Sequence, residues 1–320
     1  MRCLITGATH GGDGIGFETA KALLALSSED APCTVHVACR TTRAAEDAAA
    51  ALRAEVGRTR ARAAHVRVAP PLELSDLGSV DAFARAFGEE PLDVLVLNAG
   101  VMNVPALQLT KQGVELHVGV NHLGHFALER ALEKNLVAGA RARGADAVSR
   151  VVVVSADAHL WLRKPFAVED AFHPRAYSAS RQYALSKLFN IWMAAELNRR
   201  WALTSAPLVA FALHPGIIAT SILRHLRGGS LVFPLLRALR FVSPSSRWGT
   251  KTPAEGARTT VFAATMPVTR AAVHADPVQY FADSARVSRT SRLAREEAGA
   301  RQLFEYSEAL LAKRRQSAKL

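Results

Sequence analysis

Cysteine is scarce: only positions 3, 33 and 39 of the 320 residues carry it. So small and odd a number excludes a disulfide framework, and their places on or beside candidate strands suit buried free thiols in a reducing compartment. No His or Cys spacing suited to a metal ion occurs. No apolar run reaches the ~18 residues that a membrane-spanning helix needs. The first strand begins almost at Met1, which leaves no room for a signal peptide. Acidic residues are few beside basic ones: 28 Asp and Glu against 40 Lys and Arg give a net charge of +12. That surplus does not read as a nucleic-acid surface. Arg40, Arg43, Arg53, Arg58, Arg60 and Arg62 are scattered among alanines, with no stacking aromatics between them, as on solvated helix faces.

What is present suits a globular α/β domain. Hydrophobic residues make up 49% of the 320, enough to bury a full core. Strand-like runs at 2–5, 34–39, 65–69, 93–97, 150–155, 208–213 and 278–281 alternate with helical patterns at 17–26, 42–56, 76–87, 113–134 and 176–200. This βα alternation predicts a doubly wound parallel sheet, a Rossmann fold, covered by helices on both faces. Ligands of such sheets gather at the carboxyl ends of the strands.

Two motifs carry chemistry. Thr6-Gly7-Ala8 opens a glycine-rich turn that ends at Gly14-Ile15-Gly16, between the first strand and the first helix. Glycines allow close backbone approach to a dinucleotide pyrophosphate, and the helix N-terminus points free N–H groups and a positive dipole at it. Either Gly11 or Gly14 can act as the middle glycine. Asp13 would repel a pyrophosphate and is expected to face solvent. In the second motif, Tyr183 and Lys187 lie four residues apart on one helix face. A lysine cation there favours the phenolate and is expected to lower the Tyr183 pKa from about 10.

With Asn98-Ala99-Gly100, Asn121-His122-Leu123-Gly124-His125-Phe126, the strand 151–155 and His214-Pro215-Gly216 with Thr220, these motifs resemble the short-chain dehydrogenase/reductase family. Their wording is similar to the branch that holds retinol dehydrogenases and the WW-domain-containing oxidoreductase. The resemblance covers about residues 2–310. It implies an alcohol or carbonyl oxidoreductase in which Tyr183 moves the proton. Lys187 tunes Tyr183 and holds the nicotinamide ribose, and Asn121 anchors a water of the proton relay. Cofactor contacts are expected from Thr6, Gly7, Gly11, Gly14, Ile15, Gly16, Asn98, Ala99, Gly100, Pro215, Gly216 and Thr220, with Glu73 and Leu74 beside the adenine. Arg40 ends the second strand, where an acidic residue would select NAD; a guanidinium there suits the 2′-phosphate of NADP(H).

Two departures matter. The glycine turn is three residues longer than the family spacing. The branch ends its fifth strand with two serines, and here the second is Ala156. Ser155 is the candidate for the lost hydroxyl, with Asp157, His159 or a water as alternatives. The domain is expected to span 1–310, with a substrate lid at about 217–250 and a basic tail at 311–320. The lid segment is apolar with interspersed arginines. It reads as a cover for a lipophilic substrate (retinoid, steroid or fatty aldehyde), as an interfacial helix giving peripheral membrane contact, or as a helix packed on the body. The C-terminal Ala318-Lys319-Leu320 resembles a peroxisomal address read by an import receptor. The family implies a homo-oligomer. The competing reading is a non-catalytic NADP(H)-binding sensor or scaffold, supported by Ala156 and the long glycine turn.

Overall fold

The computed structural model describes residues 1–9, 14–57, 64–218, 251–283, 286–287 and 290–317. Gly11, Thr220, nearly all of the lid segment and Ala318-Lys319-Leu320 lie outside the described residues.

The strands are β1 (Arg2–Thr6), β2 (Cys33–Ala38), β3 (Ala64–Val68), β4 (Val94–Leu97), β5 (Ser149–Val154), β6 (Leu208–Leu213), β7 (Tyr280–Ala282) and β8 (Arg286–Val287). They form one sheet in the order β3-β2-β1-β4-β5-β6-β7-β8. The first seven run parallel, and β8 pairs antiparallel with β7. The antiparallel edge is a departure from the all-parallel expectation. Asp283, at φ +48°, starts the reversal that returns the chain along β7. The doubly wound sheet is otherwise as expected, and its order reverses between β1 and β4, where ligands of this architecture bind.

The helices are α1 (Ile15–Ala25), α2 (Thr42–Gly57), α3 (Leu77–Phe87), α4 (Leu116–Val118), α5 (His125–Arg141), α6 (Val168–Phe172), α7 (Ala179–Thr204), α8 (Pro253–Thr265), α9 (Arg270–Ala275) and α10 (Glu297–Ser317). Strand side chains alternate between two cores. Ile5, Val37, Val96, Val152 and Phe211 face one core, with Leu23, Ala45 and Ala263 of α1, α2 and α8. Leu4, Leu95, Val151, Val153 and Ala210 face the other, with Phe83, Phe126, Leu188 and Phe304 of α3, α5, α7 and α10. Burial on both faces explains why the central strands are continuous apolar runs. Cys3, Cys33 and Cys39 are buried and unpaired, as expected.

The expected single helix over 113–134 is broken. Gly113 turns at φ +76°, and Leu109 bridges Glu115. The Glu115 carboxylate caps α4, and Gly119–Gly124 form a π-helical turn before α5 runs on to Arg141. Such wide turns gather at functional sites, and Asn121 lies in this one. The C-terminal boundary also moves. Helix α10 continues through the proposed tail to Ser317, Leu311 is buried in the core, and Arg314 pairs with Asp81 at 2.6 Å. Phe304 meets Phe126 of α5 at 4.9 Å between ring centroids, and the Arg200 guanidinium of α7 lies 4.0 Å from the Phe304 centroid. The outer faces of α5 and α7 are thus covered by the chain itself.

Gly139 shows how tightly α5 meets the sheet. A Cβ there would lie 1.8 Å from the Leu92 carbonyl oxygen, whereas one at Gly57 would meet nothing within 4 Å. Gly139→Ala is expected to cost about 3 kcal/mol of stability through overpacking. Gly57→Ala should gain about 0–1 kcal/mol by narrowing the unfolded ensemble. Urea unfolding of both variants checks the contrast; equal midpoints would contradict the packing.

Candidate active site

The carboxyl ends of β1, β4 and β5 converge where the sequence motifs point. Gly7 follows β1 at φ +69°, and a Cβ there would lie 2.9 Å from the Ala99 Cα. A Cβ at Gly16 would lie 2.6 Å from the Asn98 amide nitrogen and 2.8 Å from the Gly7 carbonyl oxygen. The turn, the start of α1 and the end of β4 therefore approach to a distance that only glycine allows. Gly14 is the N-cap of α1, with no side-chain bond at that cap.

One hydroxyl ties these pieces together. Thr6 Oγ1 accepts the backbone N–H of Asn98 at 2.9 Å and of Ala99 at 3.0 Å, and it meets His125 Nε2 at 2.9 Å. With its lone pairs so used, its proton faces His125. That leaves the His125 proton on Nδ1, which donates to the Asn121 carbonyl at 3.1 Å. Burial holds the His125 pKa down at about 3, so the ring stays neutral. Its signal in the sequence is the Asn121–Phe126 wording.

The Asn121 side chain clamps the backbone after β4. Its Oδ1 accepts from the Val101 N–H at 2.8 Å. Its Nδ2 donates to the Val101 carbonyl at 3.0 Å and to Ser186 Oγ at 2.9 Å. Ser186 Oγ in turn donates to the Tyr183 carbonyl at 2.8 Å. The amide's donors are filled by protein, so the side chain fixes the backbone after β4 against α7.

Tyr183 and Lys187 share a face of α7, with Lys187 Nζ 5.7 Å from the phenol ring centroid. Burial pushes the Tyr183 pKa up to about 12 and the Lys187 pKa down to about 8. This reverses the expected direction for the phenol: the lysine is itself desolvated, so burial of the phenolate outweighs its help. Lys187 Nζ donates to the Val154 carbonyl at 3.0 Å. A Cβ on Gly100 would lie 3.7 Å from that nitrogen. Behind Tyr183, the fully buried pair Glu115 and His117 (2.7 Å) sets the imidazole edge-on to the phenol, with ring centroids 6.3 Å apart. Sequence analysis gave His117 no such place.

Ser155 does not supply the lost hydroxyl. It has the strand parity of Val151 and Val153, so it faces α7, and its Oγ donates to the Lys187 carbonyl at 2.6 Å. Ala156 holds the position beyond. His159 is filled as well: Nδ1 donates to the Ala156 carbonyl at 2.8 Å, and Nε2 accepts the Ser291 N–H at 3.2 Å.

The remaining positions fall into place unevenly. Arg40 is exposed just after β2 and has no hydrogen-bond or ion-pair partner among the described residues. Glu73 caps its own loop by accepting from the Ser75 N–H at 2.9 Å and Oγ at 2.8 Å, while Leu74 is buried under Gly124. Pro215 is buried, and Gly216 turns at φ +95° against the Lys251 side chain. Among the described residues there is no group of acidic, His or Cys side chains fit to hold a metal, and no helix long and apolar enough to cross a membrane.

The model of the short chain dehydrogenase family matches residues 2–229. The chain belongs to that family. This dehydrogenase is 35% identical over 317 residues to human retinol dehydrogenase 14, covering 96% of the chain and 85% of the relative. Its structure superimposes on that of an uncharacterised protein of Mycobacterium paratuberculosis with a TM-score of 0.67 at 32% identity, covering 97% and 92% of the two chains. An NADPH-bound carbonyl reductase from chicken fatty liver shares the fold, with a TM-score of 0.60 at 20% identity and coverage of 90% and 98%.

Lys187 gives a pH test of the dehydrogenase itself. Its folded pKa of about 8 lies below the ordinary 10.5. Between those values the unfolded chain binds more protons, so stability rises with pH across that window. The Lys187 contribution is about 3 kcal/mol from end to end. Lys187→Met should remove this rise in cofactor-free protein, as read by urea unfolding from pH 7.5 to 10. Parallel profiles for the two proteins would show that the ammonium is not desolvated.

Proposed function

We propose that this dehydrogenase reduces a carbonyl on a lipophilic substrate with NADPH, or oxidises the corresponding alcohol. The observation that carries this reading is the buried Tyr183–Lys187 pair placed beside the glycine turn and Gly100. The residues present fit a dinucleotide. Gly7 and Gly16 leave a cradle that a Cβ would fill. The N-terminus of α1 opens beside it. The desolvated Lys187 ammonium has three protons and one acceptor, the Val154 carbonyl. Ribose hydroxyls would satisfy the other two. Arg40, exposed just after β2 and without a partner among the described residues, suits a 2′-phosphate. The dinucleotide supplies the hydride.

The chain's own residues then handle the proton. Tyr183, its pKa held up at about 12 by burial, is protonated at neutral pH and can donate to a carbonyl oxygen. Asn121, held by Val101 and Ser186, fixes the helix from which Tyr183 reaches the site. Exposed Leu160, Trp161 and Ile217 follow β5 and β6 at the same end of the sheet and form an apolar rim suited to a lipophilic substrate. The likeness to a retinol dehydrogenase supports a retinoid-like alcohol or aldehyde. Peripheral membrane contact through 217–250, peroxisomal import through Ala318-Lys319-Leu320 and self-association rest on the sequence and the family. A partner copy would need a face other than the one α10 covers on α5 and α7.

The missing hydroxyl at Ala156 favours one second reading, a non-catalytic NADP(H)-binding sensor. Turnover separates the two. The wild type should bind NADPH more tightly than NADH, and Arg40→Ala should narrow the gap in a titration of bound-cofactor fluorescence. Equal wild-type affinities would refute the role of Arg40. Tyr183→Phe should lower turnover of aldehydes by about a hundredfold or more while NADPH binding survives. Near-normal turnover would sink the mechanism. Ala156→Ser should raise kcat by about tenfold or more by restoring a donor to the developing oxyanion. An unchanged rate would place that donor elsewhere.

A further inference from the structure

Three polar side chains, from the carboxyl ends of β5 and β6 and the first residue of β7, meet and take no part in the chemistry above. Asp157 directly follows Ala156. The Tyr280 hydroxyl donates to Asp157 Oδ1 at 3.1 Å, and His214 Nε2 lies 3.3 Å from Oδ2. Tyr280 is only 1% exposed, and its ring packs edge-on against His159 with centroids 5.2 Å apart. The direction of its hydroxyl is thus set by the core. The Asp157 side chain is 46% exposed. The carboxylate is held from two strands and still open to a ligand.

Position and chemistry narrow what it can receive. It lies at the end of the sheet where ligands of parallel α/β proteins bind. Tyr280 packs on His159, which bonds the Ala156 carbonyl, so the cluster borders the position of the missing hydroxyl. An ionised carboxylate is acceptor-only and offers about four lone-pair positions, of which Tyr280 and His214 occupy two. It cannot replace the serine missing at Ala156, because it would repel a developing oxyanion. It suits a donor on a neighbouring substrate atom. An ammonium and a hydroxyl are the two common donors. The net charge of +12 disfavours approach of a cationic substrate, which leaves the hydroxyl. The methyl of Ala156 adds no competing polar group beside Asp157.

We propose that Asp157, aligned by Tyr280 and His214, determines specificity by accepting a hydrogen bond from a hydroxyl carried next to the reacting carbon. The favoured substrate class is then a lipophilic α-hydroxy aldehyde or ketone, or the corresponding 1,2-diol. This rests on the oxidoreductase reading given above.

Two ketones of equal chain length test it, one with a hydroxyl on the carbon beside the carbonyl and one without. Each is reduced with NADPH by the full-length wild type, Asp157→Asn and Asp157→Leu. The readout is the ratio of kcat/KM for the hydroxy ketone to that for the plain ketone, measured within each protein. A general loss of folding or cofactor binding lowers both rates and cancels. The ratio should be about 10 or more in the wild type, since a hydrogen bond to a charged acceptor discriminates by at least that much. It should fall to near 1 in Asp157→Leu. Asp157→Asn, whose amide oxygen still accepts, should lie between. A wild-type ratio near 1, or one that survives Asp157→Leu, overturns the proposal. Should Asp157→Leu not fold, an unchanged ratio in Asp157→Asn does the same. Equal turnover of both ketones by the wild type leaves the oxidoreductase reading standing and removes only this inference. Turnover of neither ketone nor either alcohol removes both.

Discussion

A single ammonium buried at the junction of the strands and α7 sets the terms for this site. Lys187 is 5% exposed and, among the described residues, faces no carboxylate and has one carbonyl, that of Val154, as acceptor. A full charge is costly to hold in such a place, so the group is driven toward neutrality unless a polar ligand arrives. The surrounding architecture accepts that cost. Ser155 fixes the Lys187 carbonyl, Asn190 shares the Val154 carbonyl at 3.1 Å, and Gly100 leaves the space above the nitrogen open. Stability is thereby tied to pH through this one side chain.

Around it runs a continuous chain of hydrogen bonds. It passes from the glycine turn through Thr6 and His125 to Asn121, and on through Ser186 to the backbone of Tyr183. Two of the links, Thr6–His125 and Asn121–Ser186, join elements far apart in the sequence, and the side chains that make them are buried. Buried polar groups satisfied in this way rigidify a site, and removal of one partner leaves another unpaired at a cost of about 1–3 kcal/mol. The π-helical turn at Gly119–Gly124 is the local irregularity that fits Asn121 into the chain. It is also the feature that a helical pattern could not reveal, because a wide turn and a regular turn present the same apolar residues.

The same contrast runs through the rest of the molecule. The parallel strands were legible because their apolar runs are buried on both faces, and β6 was read to the residue at Leu208–Leu213. The glycine turn and the Tyr183–Lys187 spacing were legible because they are local in sequence. The helix end at Ser317 was not, since α10 is held by distant partners such as Asp81 and Phe126 that leave no mark nearby. The antiparallel β8 is two residues long and carries no pattern of its own.

The sequence by itself determined the order of the elements, the doubly wound sheet, the family and the candidate pair Tyr183 and Lys187. These depend on spacing and on apolar periodicity, which the chain carries locally. Tertiary structure decided what the residues at the site have to work with. It gave the Ser155 hydroxyl to a backbone carbonyl, because strand parity turns that side chain toward α7. It reversed the direction in which Tyr183 is tuned, because burial of both partners outweighs their mutual help. It brought Asp157, His214 and Tyr280 together from three strand ends. Burial and contact between distant segments exist only once the chain has folded, and on these the chemistry depends.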